Sequence, residues 1–145
     1  MTTMIAHRWR PLTGVLWALQ IVSAGMFLMA GMLKLAGNPM MVQMFGVIGV
    51  GQWFRYLTGA IEVVGAVLLL IPSVAAYGAA VLAVTMVGAV ITHLFIVGGS
   101  PLIPILLLAS TTAIAWLRRG WTMSAPRDRR RQEAGVRAAE RRVIS

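Results

Sequence analysis

Four stretches of nearly uninterrupted apolar residues divide the chain, at residues 12–33, 53–71, 74–97 and 102–117. Each but the last approaches or exceeds the roughly 20 residues of helix that a bilayer core requires. The breaks between them carry helix-stopping residues: Pro72 after the second run, and Gly98, Gly99, Ser100 and Pro101 after the third. The fourth run stops at Arg118 and Arg119 and is short, so Pro101, Trp116 and Trp121 are expected to extend it at the two interfaces. A basic start (His7, Arg8, Arg10) followed by an apolar run also fits a secretory signal, but such a region holds only about 7–15 apolar residues. The first run is longer and reads as an uncleaved helix.

Between the first two runs, residues 36–52 are apolar but interrupted by Gly37, Pro39, Gly46, Gly49 and Gly51. Asn38 followed by Pro39 has the chemistry of an N-cap and a first helical position. Met40, Met41, Met44, Phe45 and Ile48 then recur at roughly helical spacing, which predicts a short helix at the membrane surface or against the bundle. The string Gly46, Gly49, Gly51 imitates a nucleotide-binding loop, yet no strand precedes it and no soluble βαβ unit surrounds it. The predicted fold is an all-α, four-helix transmembrane bundle with a short interfacial helix between helices one and two. Residues 1–11 form a lead, 12–117 the membrane domain and 118–145 a basic, disordered tail. Small residues for helix packing fall at Ala24, Gly25, Ala30 and Gly31, at Gly59, Gly65 and Ala66, and at Ala76, Ala79, Ala80, Ala83, Gly88 and Ala89.

Composition supports this picture. Of 145 residues, 59% are hydrophobic and only 12% charged, against about 25% charged in soluble domains; the mean hydropathy is +0.81. A water-soluble monomer of this size cannot hide that much apolar surface. The net charge of +9 is unevenly placed. Arg8 and Arg10 precede the first run and nine arginines follow the fourth, leaving only Lys34 and Arg55 for the other side. The positive-inside rule puts both termini in the cytoplasm of a multi-pass protein in the cell membrane. The arginine-rich tail, behind a membrane helix, is expected to meet anionic headgroups rather than nucleic acid.

Candidate chemistry is sparse. With no cysteine and two histidines, the chain has no thiol redox centre, disulfide or iron–sulfur ligation of its own. One Glu and one His in the apolar region fall short of a metal ligand set, and no Ser–His–acid arrangement is present. Three ionisable groups remain. Lys34 lies at the outer end of the first helix; Glu62 lies six residues past Tyr56, about 9 Å into the second, and His93 four residues before Val97, about 6 Å from the outer end of the third, at 1.5 Å per residue. All three therefore occupy a similar depth in the outer half. Ionisable residues at membrane depth are costly and usually face a partner or a ligand, so Lys34, Glu62 and His93 are the ligand- or proton-site candidates, expected to form one hydrogen-bonded cluster. Thr58, one turn before Glu62, and Thr92, beside His93, are supporting polar residues. Two structural readings compete: Lys34 can snorkel to the headgroups, and Glu62 with His93 can serve only to fix helix register. Arg55 reads as an interface anchor with Trp53 and Tyr56.

The order and spacing of these residues also resemble a known family. The string Ala30-Gly31-Met32-Leu33-Lys34-Leu35, Phe45 with Gly49, and Gly59-Ala60-Ile61-Glu62-Val63-Val64-Gly65 leading to Leu68-Leu69-Leu70-Ile71-Pro72 resemble the DoxX-like membrane proteins; residues 89–93 (A-V-I-T-H) match its third-helix pattern. The resemblance covers residues 16–119. It implies a small four-helix membrane protein, and some relatives are membrane subunits beside quinone-linked sulfur-oxidising or oxidative-stress enzymes. The matching positions are again Lys34, Glu62 and His93. The resulting expectation is a non-catalytic membrane subunit with no cofactor of its own. Its outer polar pocket would take a lipid-like molecule such as a quinone, or seat a partner oxidoreductase or a second copy. The alternative is a proton-coupled small-molecule carrier or membrane enzyme in which Glu62 exchanges a proton.

The topology is open to a direct check, because the cysteine background is empty. A cysteine placed at Asn38 or Gly99 should react with an impermeant thiol reagent in intact cells, and one at Ser124 only after lysis. Reversed labelling would sink the orientation.

Overall fold

The computed structural model describes residues 10–119. Five helices follow in chain order: α1 (Arg10–Leu35), α2 (Pro39–Ile48), α3 (Gln52–Leu70), α4 (Ala75–Val97) and α5 (Leu102–Arg119). The last five residues of α4, His93–Val97, are wound as a π-helix. α1, α3, α4 and α5 are long and apolar enough to cross a membrane, and α2 is the short helix between the first two spans. Among the described residues there is no strand. α5 runs two residues beyond its expected end at Leu117, so Arg118 and Arg119 belong to the span. The lead before residue 10 and the tail after residue 119, with its expected headgroup contact, lie outside the described residues.

The spans alternate in direction. α1 and α4 run toward the end that carries the α1–α2 turn, here the loop end; α3 and α5 run back to the terminal end. α2 closes the loop end for local reasons. Asn38 Oδ1 accepts the Met40 N–H at 3.0 Å, Pro39 occupies the first turn, and Gly49 stops the helix in the left-handed region at φ 78°. Phe45, its buried side chain, packs on Phe54 of α3 with ring centroids 6.0 Å apart. Gln52 Nε2 donates to the Val42 carbonyl at 3.0 Å. The glycine string is thus turn-making: Gly49 ends α2, and Gly51, at φ 101°, starts α3.

Ala24 and Phe27 of α1, Ala66 and Leu69 of α3, Ala79, Leu82 and Met86 of α4, and Leu107 and Ile114 of α5 form one buried core. In lipid, apolar side chains gain little by leaving an apolar solvent, so close packing holds the helices together. Two crossings set the closest approaches. Between α1 and α3, a Cβ on Gly31 would lie 2.8 Å from Val63 Cγ2 and 2.9 Å from the Gly59 carbonyl oxygen. Between α3 and α4, a Cβ on Gly78 would lie 2.8 Å from Leu68 Cβ and 2.9 Å from the Gly65 carbonyl oxygen. Size alone does not select such positions: Gly25 and Gly88, grouped by sequence with the packing residues, face open space.

The same chemical change should therefore have opposite effects on one helix. Gly31→Ala forces a methyl against backbone and should destabilise the detergent-solubilised protein by about 1–3 kcal/mol, as overpacking does. Gly25→Ala meets nothing and should leave stability unchanged or raise it by up to about 1 kcal/mol, through helix propensity. Thermal unfolding of the two variants in parallel decides; equal losses would contradict the crossing.

Candidate functional site

The α1–α3 crossing positions an ion pair. Lys34 lies in the last turn of α1, one turn beyond Gly31, and Glu62 lies on α3, three residues past Gly59. A Cβ on Gly59 would stand 3.0 Å from Lys34 Cβ, so a larger residue there would push the two helices apart. At this separation Lys34 Nζ donates to Glu62 Oε2 at 2.6 Å, with the Glu62 side chain 3% exposed and that of Lys34 12%. Removing both charges from water is costly, and their attraction across a low-dielectric interior offsets that cost only when the geometry is tight. The ammonium carries three N–H donors and gives one to Glu62; Oε1 of Glu62 accepts no hydrogen bond from the described residues. The pair keeps two donors and an acceptor for another molecule.

Arg55 differs from its expected role as an interface anchor. It is buried, at 3% exposure. Its Nη1 donates to the Lys34 carbonyl oxygen, Nε donates to Gln52 Oε1 at 2.8 Å, and the guanidinium lies 4.2 Å from the centroid of the Tyr56 ring. The Lys34 carbonyl also accepts the Gly37 N–H at 3.3 Å, and the Leu33 carbonyl accepts the Asn38 N–H at 3.1 Å, with Gly37 left-handed at φ 74°. This is a Schellman closure to which a buried cation has been added, where the helix end carries partial negative charge. Arg55, Gly59 and Glu62 are spaced four and three apart, one face of a helix. That spacing was the available signal for Arg55.

The other expected members stand apart from the pair. His93, half-buried at the start of the π-helical segment, places Nδ1 2.9 Å from the Ala89 carbonyl oxygen of its own helix; it makes no hydrogen bond to Lys34 or Glu62. Because a carbonyl only accepts, the neutral ring carries its proton on Nδ1 and presents Nε2 as an acceptor. Thr58 Oγ1 donates back to the Phe54 and Arg55 carbonyls at 3.0 and 3.1 Å. Thr92 Oγ1 donates back to the Gly88 carbonyl at 2.8 Å. A hydroxyl in a helix without water finds the carbonyl one turn behind it, so neither threonine supports the ion pair. The expected three-residue cluster reduces to two, with Arg55 added behind Lys34.

The terminal end holds a second polar centre. Gln20, fully buried, donates through Nε2 to the Leu69 carbonyl at 2.5 Å, and its Oε1 accepts from Arg118 Nη2. Arg118 is 2% exposed, 5.3 Å from the Trp17 ring centroid. Ser23 Oγ donates to Ser110 Oγ at 3.1 Å, tying α1 to α5. Arg118, expected as the first residue of the basic tail, instead belongs to the buried face of α5. Its signal was periodicity, since Leu107, Thr111, Ile114 and Arg118 are all buried and share one face of α5.

Among the described residues no group of three or more His, Cys, Asp or Glu could hold a metal ion. The family model of the DoxX-like family matches residues 18–117, which takes in most of all four spans and the Lys34–Glu62 pair and stops just short of Arg118. The chain belongs to the DoxX-like family. No curated protein and no solved structure matches it. The matched region of this DoxX-like protein takes in Lys34, Glu62 and His93 together with Arg55, all within the helices that define it.

A double-mutant cycle tests the pair. Lys34→Met and Glu62→Gln should each cost about 3–5 kcal/mol by orphaning a buried charge, and the double variant should recover much of the loss. His93→Asn combined with Glu62→Gln should be additive within about 0.5 kcal/mol, as for residues that share no partner. Additivity in the first cycle would break the pair; strong coupling in the second would restore His93 to it.

Proposed function

We propose that this DoxX-like membrane protein is a non-catalytic subunit of the cell membrane, its termini cytoplasmic, whose outer-half polar site takes a lipid-like small molecule such as a quinone or seats a partner oxidoreductase. The observation that carries this reading is the Lys34–Glu62 pair: a buried carboxylate bound to the ammonium of a lysine whose side chain stays 12% exposed. Two donors and an acceptor remain unused at the rim of the bundle, which suits a ligand carbonyl or hydroxyl approaching from the lipid. A hydroxyl-bearing ring could also give a hydrogen bond to His93 Nε2 at the same end. The charge pair itself is already balanced, so a neutral molecule fits it better than an ion. A lone carboxylate held by a lysine is a poor proton relay, because among the described residues no titratable group other than Lys34 hydrogen-bonds to it.

Native mass spectrometry of the gently extracted protein tests the reading. The wild type should retain a neutral lipid-like mass or a stoichiometric partner, and the Lys34→Met, Glu62→Gln double variant should fold but lose it. Loss-free binding in the double variant would refute the site. Proton uptake or turnover by the isolated protein in vesicles would move it to the carrier or enzyme class.

A further inference from the structure

The loop end holds a partly buried lysine, a buried arginine and one buried carboxylate. Glu62 is the sole acidic residue among residues 10–119, and Lys34 engages it. Arg55 therefore lacks a full counter-charge. Its Nε and Nη1 give hydrogen bonds to neutral oxygens, Gln52 Oε1 and the Lys34 carbonyl, while Nη2 donates to none of the described residues. The C-terminus of α1 supplies only about half a negative charge, and the Tyr56 ring supplies a quadrupole rather than an ion. Buried charges are ordinarily paired with opposite charge, and a guanidinium is the side chain best shaped to take an oxyanion.

The surroundings leave room for one. A Cβ at Gly37 would lie 3.9 Å from Nη1 and 4.0 Å from Nη2, so the terminal edge of the guanidinium lies against a turn that bears no side chain. α2 begins two residues later at Pro39, adding the positive end of a helix dipole to the same corner. Trp53 and Tyr56, both exposed on α3, flank Arg55 in sequence and have the amphipathic rings that sit at headgroup level.

We propose that Arg55 anchors an oxyanion site at the loop end, which binds a phosphate group through its free N–H edge, the phosphate belonging to a lipid headgroup or to free phosphate. This site goes beyond the Lys34–Glu62 pocket and does not depend on what that pocket binds.

The full chain in neutral detergent is heated with short-chain phosphatidylglycerol, with diacylglycerol of the same chains, or with sodium phosphate at matched ionic strength. Phosphatidylglycerol should raise the unfolding temperature and diacylglycerol should not. A rise with sodium phosphate as well assigns the site to any phosphate, and its absence assigns it to the headgroup. Arg55→Lys keeps the charge but loses the fork, and should weaken the response by about tenfold, the value of a charged hydrogen bond. The Lys34→Met, Glu62→Gln double variant retains Arg55 and should respond as the wild type does, which separates this site from the pocket. Equal stabilisation by diacylglycerol, no response to either phosphate source, or an unaltered response in Arg55→Lys overturns the proposal. If Arg55→Lys does not fold, a photoreactive phosphatidylglycerol on the wild type decides. Adducts within residues 37–56 support the site, and adducts confined to residues 120–145 overturn it.

Discussion

Where α1 crosses α3, the missing side chains of Gly31 and Gly59 bring two backbones close enough for Lys34 to meet Glu62 at 2.6 Å. The consequences of that contact spread through the bundle. A carboxylate inside the apolar region is tolerable only with a cation at hydrogen-bond distance, and a lysine four residues further from the crossing could not reach it. The crossing also fixes the angle at which α1 ends, and hence where its last carbonyls lie when Arg55 caps them. Steric fit and charge compensation are therefore one constraint: loosening the packing would expose or orphan a charge, and removing the charge would relax the demand for close packing.

The two ends of the bundle solve a common problem by a common device. A helix leaves its last carbonyls without intrahelical donors, and those buried against a neighbouring helix need a protein donor in place of water. At the loop end, Arg55 of α3 reaches the Lys34 carbonyl of α1. At the terminal end, Gln20 of α1 reaches the Leu69 carbonyl of α3, and Arg118 of α5 holds Gln20 in place. Each of these two helices thus has its C-terminus closed by a side chain from the other. The exchange locks their relative depth, which a pattern of small residues alone would leave free to slide. α4, by contrast, is held through the Gly65–Gly78 approach and the shared core, and most of its surface is turned outward.

The polar site was legible in the sequence as far as rarity could reveal it. An acid and a lysine inside apolar runs stand out because membrane helices exclude them, and an estimate of depth paired them correctly. Arg55 was harder to place, because an arginine next to Trp53 and Tyr56 has the composition of an interface belt whether its guanidinium points to headgroups or folds back. His93 failed in the opposite direction: it lies at the right depth, but a histidine can satisfy one ring nitrogen on its own helix, and depth is silent about azimuth. Thr58 and Thr92 repeat that lesson with hydroxyls.

The sequence by itself determined that four helices span a membrane, where each begins and ends to within a few residues, and that Asn38 and Pro39 open a short helix between the first two. Those features rest on local physics: runs long enough for a bilayer, prolines and glycines that stop a helix, and a cap whose donor and acceptor are neighbours in the chain. Only the tertiary structure decided which glycines touch another backbone, which cations are buried, and which polar residues pair. Gly25 and Gly31 are identical in sequence terms, and one faces open space while the other presses on α3. Arg118 and Arg119 are adjacent, and one is buried while the other is exposed. The reason is rotational. In lipid nearly every face of a helix is apolar, so the amphipathic stripe that marks the inner face of a soluble helix is weak, and azimuth is set only when the helices meet.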